Sequence, residues 1–242
     1  TGIVRQFAAC FRDHRQAAQV EHSVRELVAQ RVYGLTLGYE DLNDHDQLRS
    51  DPLLALLSGK QDLAGAQRRR PQDRGNPGAG KSTLNRLELT PAEGGASSRY
   101  KKIVLDTGAD DRLLTSLYVQ SQPRQPERIV LDIDDTADTV HGGQQLALFN
   151  AHYDDYCFQP IHIFDAASGK PILSLLRPGK RPSGAEAAGI LRHVIRRVRY
   201  NWPRVEIIVR GDGHYGTPEV MELLEDQGCG YIFGLPGNAR LS

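Results

Sequence analysis

Apolar residues recur at helical spacing through residues 21–33 (EHSVRELVAQRVY), where Val24, Leu27, Val28, Val32 and Tyr33 form a stripe between Arg and Glu. A second helix is expected over 44–57 (DHDQLRSDPLLALL). Pro52, preceded by Asp51, suits a helix start better than a helix interior. No strand pattern precedes about residue 100, so this part reads as an all-helical module. Residues 64–80 (AGAQRRRPQDRGNPGAG) hold hardly any large apolar side chain and read as a flexible linker; 91–98 is a further loop.

From residue 127 the pattern changes. Residues 128–133 (RIVLDI) are a β-branched run of strand length, and 156–164 and 170–176 are two more strand candidates divided by Ser168-Gly169. A long amphipathic helix is expected over 185–200. Ala187, Leu191, Val194, Ile195 and Val198 fall on one face; Arg192, Arg196 and Arg199 fall on another. A strand at 206–210, a turn at 211–216, a helix at 217–227 closed by Gly228 and a strand at 231–235 complete the series. Three strands followed by alternating helix and strand predict an α/β fold with a mixed sheet. That is the element order of the ribonuclease H-like fold, which would end with one more helix. The division expected is a helical region over 1–63, a linker with a short helix over 64–98, and a ribonuclease H-like core lacking its last helix over 99–242.

Composition narrows this modestly. The 242 residues are 39% hydrophobic and 25% charged, which is globular and excludes collagen-like, mucin-like and disordered classes. Lys+Arg and Asp+Glu both number 30, so any polyanionic partner must be met by local patches rather than net charge. Cys10, Cys157 and Cys229 are too sparse for a disulfide framework and read as reduced thiols of a cytoplasmic protein. No run approaches the length of a membrane span. The chain opens on Thr1 and stops at Ser242 just after an apolar run, as a piece of a longer protein would.

Two stretches invite chemistry. Residues 75–82 (GNPGAGKS) fit the spacing of a phosphate-cradling loop, which makes nucleotide binding one alternative. That chemistry needs a buried strand directly upstream, and QRRRPQDR cannot be one, so a linker entering a helix is the favoured reading. The second signal is a set of acids at strand ends. In a period-2 strand Asp132 and Asp134 share a face with Ile133 opposite, and Asp212 follows the strand EIIVR between glycines. Each acid alone suits an ordinary turn or cap. Together they would repel unless a cation lay between them, and Mg²⁺ takes one or two carboxylates plus phosphate oxygens. His141, His162 and His214 lack ligand spacing, so zinc is not expected; only His214 lies near the acids. Arg68, Arg69, Arg70 and Arg74, as a mobile basic patch, and the set Arg192, Arg196, Arg197, Arg199 and Arg204 are candidates for phosphate neutralisation; a solvated helix face is an equal reading for the second set.

Several separated motifs carry a resemblance. LDIDDTADTVHGGQ (131–144), FNAHYDDYCFQPIHIFDAASGKPILSLLRPG (149–179), RGDGHYG (210–216) and YIFGLPGN (231–238), with GYEDLNDHDQLRSDP (38–52) upstream, resemble bacterial insertion-sequence transposases of the DDE class, domain group 1. The resemblance implies metal-dependent cleavage and strand transfer on double-stranded DNA, at transposon ends and target, and would make the helical region over 1–63 DNA-binding-like. It also implies Mg²⁺ or Mn²⁺ as cofactor, a bacterial, nucleoid-associated location, and a homo-oligomer when two ends are synapsed. By that resemblance the first catalytic, metal-holding acid is Asp134, in Asp134-Asp135-Thr136, with Asp132 left open; the second is Asp212. The family's third acid, a Glu on a later helix, has no counterpart, and Glu225 is no substitute. With two acids of three, the chain by itself is expected to show no turnover, and the resemblance also leaves room for a non-catalytic, DNA-binding remnant.

Overall fold

The computed structural model describes residues 2–91, 93–140 and 147–234. The chain forms two compact units, 1–113 and 114–242. The first contains α1 (Ile3–Ala8), β1 (Phe11–Asp13), α2 (Val24–Thr36), α3 (His45–Leu48), α4 (Pro52–Leu57), α5 (Lys81–Glu88) and β2 (Ile103–Leu105), and α6 (Thr107–Gln120) begins in it. Ser23 starts α2 with a reciprocal capping box: its hydroxyl accepts from the Glu26 amide at 3.2 Å, and the Glu26 carboxylate accepts from the Ser23 amide at 2.7 Å. The expected helix over 44–57 is divided. Asp51 caps α4 by accepting from the amides of Leu53 and Leu54, with Pro52 at the first helical position.

Two expectations for this unit are corrected. It is not all-helical, because β1 and β2 pair antiparallel from Phe11 opposite Leu105 to Asp13 opposite Ile103. Three residues are too few to show a period, and the pairing comes from a partner some ninety residues away. Nor is 64–80 a free linker. The buried Gln30 side chain bonds both the amide and the carbonyl of Ala79 at 2.8 Å, and Ala79 is fully buried with Leu27, Leu84 and Ile103. Polar composition misled here because the segment is fixed through its backbone rather than through apolar side chains.

The second unit is built on a five-stranded sheet. In chain order its strands are β3 (Arg128–Asp135), β4 (Asp138–Thr139), β5 (Leu148–Asn150), β6 (Asp155–Phe158), β7 (Ile161–Asp165), β8 (Pro171–Leu175), β9 (Glu206–Gly211) and β10 (Gly230–Phe233), with α7 (Gly184–Asn201) and α8 (Pro218–Asp226) between the later ones. The main sheet has the order β10-β9-β3-β7-β8; β4, β6 and β5 form a small separate sheet. β3, β7 and β8 pair antiparallel, whereas β9 lies parallel to β3 and β10 parallel to β9. This is the ribonuclease H-like arrangement. The expected strand over 156–164 is two strands in two sheets. Pro160 has no amide to donate, so the ladder breaks at Gln159-Pro160 and the chain changes sheets there.

The core lies on one face of the sheet. Ile129, Leu131 and Ile133 of β3, Ile161 and Ile163 of β7, Ile172 of β8, and Ile207 and Val209 of β9 are buried against Leu191, Val194, Ile195 and Val198 of α7 and Val220 and Leu224 of α8. Removing one such side chain to Ala typically costs about 2–5 kcal/mol. The opposite face carries Arg128, Asp132, Asp134, Glu206 and Arg210, with register-matched ion pairs Arg128–Glu206 and Arg210–Asp132. The alternation thus sorts the acids of β3 by face: Asp132 and Asp134 away from the core, Asp135 with the buried isoleucines.

Candidate active site

The parallel pairing of β3 and β9 sets the site. Their last registered pair is Ile133 opposite Gly211. One residue further on each strand stand Asp134 and Asp212, on neighbours about 4.8 Å apart. Gly211 permits that approach, because a Cβ there would lie 2.9 Å from Ile133 Cγ2 and 3.1 Å from the Ile133 carbonyl oxygen. Both carboxylates are on exposed residues. Asp134 accepts one bond, from the Asp135 amide at 2.9 Å. Asp212 opens the single-turn 3₁₀ segment Gly213–Tyr215, and its carbonyl oxygen accepts from the Tyr215 amide.

The neighbouring acids are engaged differently. Asp132 takes a bidentate pair from Arg210, with both bonds at 2.7 Å. It is therefore neutralised, while Asp134 beside it carries no ion pair among the described residues. Asp135 points the other way, into the protein. Its carboxylate is 6% exposed, accepts from Gln159 Nε2 at 2.8 Å and lies 3.4 Å from His214 Nε2. Burial, and then the charge of Asp134, raise Asp135 above the usual carboxylate range; Arg177 and Arg181 oppose this. Tyr215 is fully buried, and its hydroxyl has no hydrogen-bond partner among the described residues. Desolvation raises its pKa first, and the charges of Asp135, Asp134 and Asp212 raise it further, with Arg177 opposing.

No group of three or more His, Cys, Asp or Glu that could hold a metal occurs among the described residues. The donors present are hard carboxylate oxygens from two adjacent strand ends. That suits Mg²⁺ or Mn²⁺, which take few protein carboxylates and complete their shell from phosphate and water.

Other candidates fall elsewhere. His162 lies on β7 with Ser174 Oγ at 3.0 Å, and His141 is outside the described residues. Arg68 is held internally: it pairs with Glu21 and donates to the carbonyls of Asn76 and Gly78 at 2.6 and 3.0 Å. Arg69 donates to the Ala18 carbonyl, and Arg70 is exposed. Arg192 and Arg196 are exposed along α7, and Arg199 is half-buried with Nη2 3.5 Å from Cys229 Sγ. The phosphate-loop reading of 75–82 is corrected by its hydrogen bonds. The amides of Gly78, Ala79 and Lys81 donate to Arg49 O, Gln30 Oε1 and Asp46 Oδ1, and the preceding element is a 3₁₀ turn, Pro71–Asp73, not a strand. A cavity of about 380 Å³ in the first unit is lined by apolar residues such as Phe7, Phe11, Val32 and Leu87 and holds none of these acids.

Over its whole length, residues 1–242, the chain matches the family described as Transposase DDE domain group 1. It belongs to that family. No curated protein matches it. Among solved structures it is similar to the piggyBac transposase synaptic complex with hairpin DNA, at 10% identity and TM-score 0.44, covering 100% of this chain and 50% of that one. It is also similar to the Mos1 transposase paired-end complex with left transposon end, at 15% identity and TM-score 0.32, covering 82% and 57%. A third is the Drosophila P element transposase strand transfer complex, at 12% identity and TM-score 0.31, covering 88% and 43%. The chain spans about half the length of these structures.

In this DDE-family chain, sequence reasoning overlooked Asp135, Gln159 and Arg177. The inward turn of Asp135 was available from the alternation, two residues beyond Ile133. Arg177 gave no signal, because its partner Glu186 lies nine residues on, across a Pro-Gly turn.

Proposed function

We propose that the chain carries part of the active centre of a DNA transposase, with Asp134 and Asp212 as the divalent-metal ligands of a strand-cleaving and strand-transfer reaction. The observation that carries this reading is the β3–β9 register, which sets Asp134 and Asp212 one residue past its last pair, at the same end of neighbouring strands, with no ion pair on either among the described residues. A bound Mg²⁺ or Mn²⁺ supplies Lewis-acid stabilisation of the phosphodiester and activates water or a DNA 3′-hydroxyl. The chain's own residues do the positioning. Asp134 and Asp212 present oxygen ligands. Asp135, lodged between Gln159 and His214, ties the end of β3 to the turn that bears Asp212. Arg210 neutralises Asp132 and so leaves Asp134 as the first ligand. Double-stranded DNA is the substrate in this reading. The exposed arginines of α7 and Arg70 of the first unit contribute non-specific phosphate contacts, and synapsis of two DNA ends calls for two copies.

The test is Mn²⁺ binding to the purified chain, followed by loss of the free-ion paramagnetic resonance signal. Asp134→Asn and Asp212→Asn should each weaken binding by at least about tenfold, since even outer-shell changes cost that much, with circular dichroism unchanged. Binding unaltered by both substitutions overturns the assignment. Wherever the wild type cleaves DNA with the metal, either substitution should abolish that cleavage; a wild type that binds DNA and metal but never cleaves favours the remnant reading.

A further inference from the structure

The turn between β8 and α7 is fixed to an unusual degree for a surface segment. The Arg177 side chain is 6% exposed and makes a bidentate pair with Glu186 at 2.8 and 2.9 Å. It also donates to the carbonyls of Gln159 and Lys180 at 3.3 Å. The Gln159 amide donates back to the Arg177 carbonyl at 3.0 Å, and Asn150 Nδ2 donates to the Gly179 carbonyl at 3.3 Å. Gly179 is pressed so closely on β6 that a Cβ would fall 2.2 Å from the Cys157 carbonyl oxygen. Pro178 bridges to Phe158, and Pro182 is buried. Arg177, Pro178, Gly179, the Lys180 backbone and Pro182 are thereby anchored, which brackets two free side chains. Lys180 and Arg181 are exposed and make no ion pair among the described residues.

Their place in the fold gives those two cations a direction. β8 runs antiparallel to β7, which runs antiparallel to β3, so β8 ends at the same end of the sheet as Asp134 and Asp212. Gln159 links the turn to the site directly, with its backbone bonded to Arg177 and its side chain to Asp135. The charge of Arg181 acts to lower the Asp135 pKa, and that of Lys180 the Glu186 pKa. The arginines of α7 lie further off. α7 starts at this end and runs away from it at 1.5 Å per residue, which puts Arg192 about 12 Å and Arg199 about 22 Å along its axis.

We propose that residues 177–182 form a rigid jaw that seats the DNA sugar–phosphate backbone beside the strand-end acids through Lys180 and Arg181. The inference rests on the reading of the acids as a DNA-cleaving centre. A solvated pair of cations needs no such anchoring. A phosphate clamp benefits from it, because a fixed backbone reduces the ordering lost on binding and holds the scissile strand in one register. The acids bring a negative field to a polyanionic substrate, and cations fixed on the adjacent turn offset it.

The experiment is the salt dependence of binding to a fluorescent DNA duplex by the 242-residue chain, measured by anisotropy. Each phosphate contact contributes about 0.9 to the slope of log K against log salt. The double variant Lys180→Ala/Arg181→Ala should therefore lose about 1.8 from the slope, with Mn²⁺ binding retained, and Arg181→Lys alone should keep nearly the whole slope. An unchanged slope in the double variant, or no measurable DNA binding by the wild type, overturns the jaw. A slope lost in the double variant while wild type binds no Mn²⁺ at Asp134 and Asp212 would instead overturn the metal reading and leave the jaw as a DNA contact.

Discussion

The glycine-rich loop at 75–82 and the acids at 134 and 212 relate letters to chemistry in opposite ways. The loop has a contiguous motif, yet three of its amides, those of Gly78, Ala79 and Lys81, are spent inside the first unit on Arg49, Gln30 and Asp46. The acids are 78 positions apart and share no motif, yet the β3–β9 register sets them side by side with their charge unneutralised. What separates the two is the availability of donors and acceptors after folding, which spacing in sequence does not report. A phosphate loop works because its N–H groups point at a ligand; here those of Gly78, Ala79 and Lys81 point at the protein.

The largest effect expected from this contrast is acid lability of the unit that holds the loop. His22 is 4% exposed and neither ring nitrogen has a hydrogen-bond partner among the described residues. Burial, and then Lys60, Arg68 and Arg15, hold its pKa down to about 3 against an ordinary 6.5. Arg68 is the side chain that clasps the Asn76 and Gly78 carbonyls, so His22 sits beside the loop's anchor. The sign follows from proton uptake. Between pH 6.5 and 3 the unfolded chain binds a proton that the folded chain refuses, so stability is fully present above about pH 6.5 and falls as the pH drops. The slope is about 1.4 kcal/mol per pH unit. Denaturant midpoints of wild type and His22→Gln, compared from pH 7 to 4, should converge as pH falls, because the variant lacks this slope. Parallel pH profiles would show that His22 is not the group involved.

Next in size is Gln30→Ala. It strips the amide and the carbonyl of buried Ala79 of their partners, at about 1–3 kcal/mol for each group left unsatisfied. A loss of about 3 kcal/mol in urea unfolding is expected, and no nucleotide binding should be gained. A loss below about 1 kcal/mol would mean that the loop is not held by its amides.

Glycine substitutions compare the two regions directly. Gly211→Ala would push β9 from β3 at Ile133, costing about 1–3 kcal/mol as overpacking does, and should lower Mn²⁺ affinity by separating Asp134 from Asp212. Gly75→Ala meets nothing within 4 Å, and its cost, about 1 kcal/mol, comes only from its φ of +85°. Metal affinity unchanged in Gly211→Ala would count against the register as the source of the site.

Much of this was legible in the sequence, and the failures have physical causes. The strands of the main sheet and α7 were found because buried β-branched runs and a helical stripe with charged intervals leave strong periods. α6 was not found: TGADDRLLTSLYVQ has two adjacent aspartates and buries only Thr115 and Tyr118 among its residues, so its stripe is faint. The acids Asp134 and Asp212 could be picked out as strand-end carboxylates. Their separation from Asp132 and Asp135 depended on partners brought by folding, Arg210 for one and Gln159 with His214 for the other.

That sorting of acids can be tested by a smaller effect. Asp132→Asn breaks a pair whose side chains are 33% and 53% exposed, so it should cost under about 1 kcal/mol. Mn²⁺ affinity should stay within about twofold of wild type, far from the tenfold or greater loss set for Asp134→Asn. Equal losses in the two variants would make Asp132 a ligand and Arg210 a misleading partner.

The smallest effect is expected where the motif is most suggestive. In a working phosphate loop the lysine reaches the β- and γ-phosphates, and its removal abolishes tight nucleotide binding. Lys81 instead donates to Asn43 Oδ1 at 3.0 Å and lies 3.4 Å from Asp46, with about half of its side chain in solvent. Exposed contacts of that kind are worth about 0–1 kcal/mol. Lys81→Ala should therefore shift the unfolding midpoint little, and calorimetric titration with Mg-ATP should show no binding before or after the change. Tight ATP binding by the wild type that is lost in Lys81→Ala would require the amides of Gly78, Ala79 and Lys81 to leave their present acceptors. Such a rearrangement would break the Gln30 bonds at the centre of the first unit and would reverse the contrast between the two regions.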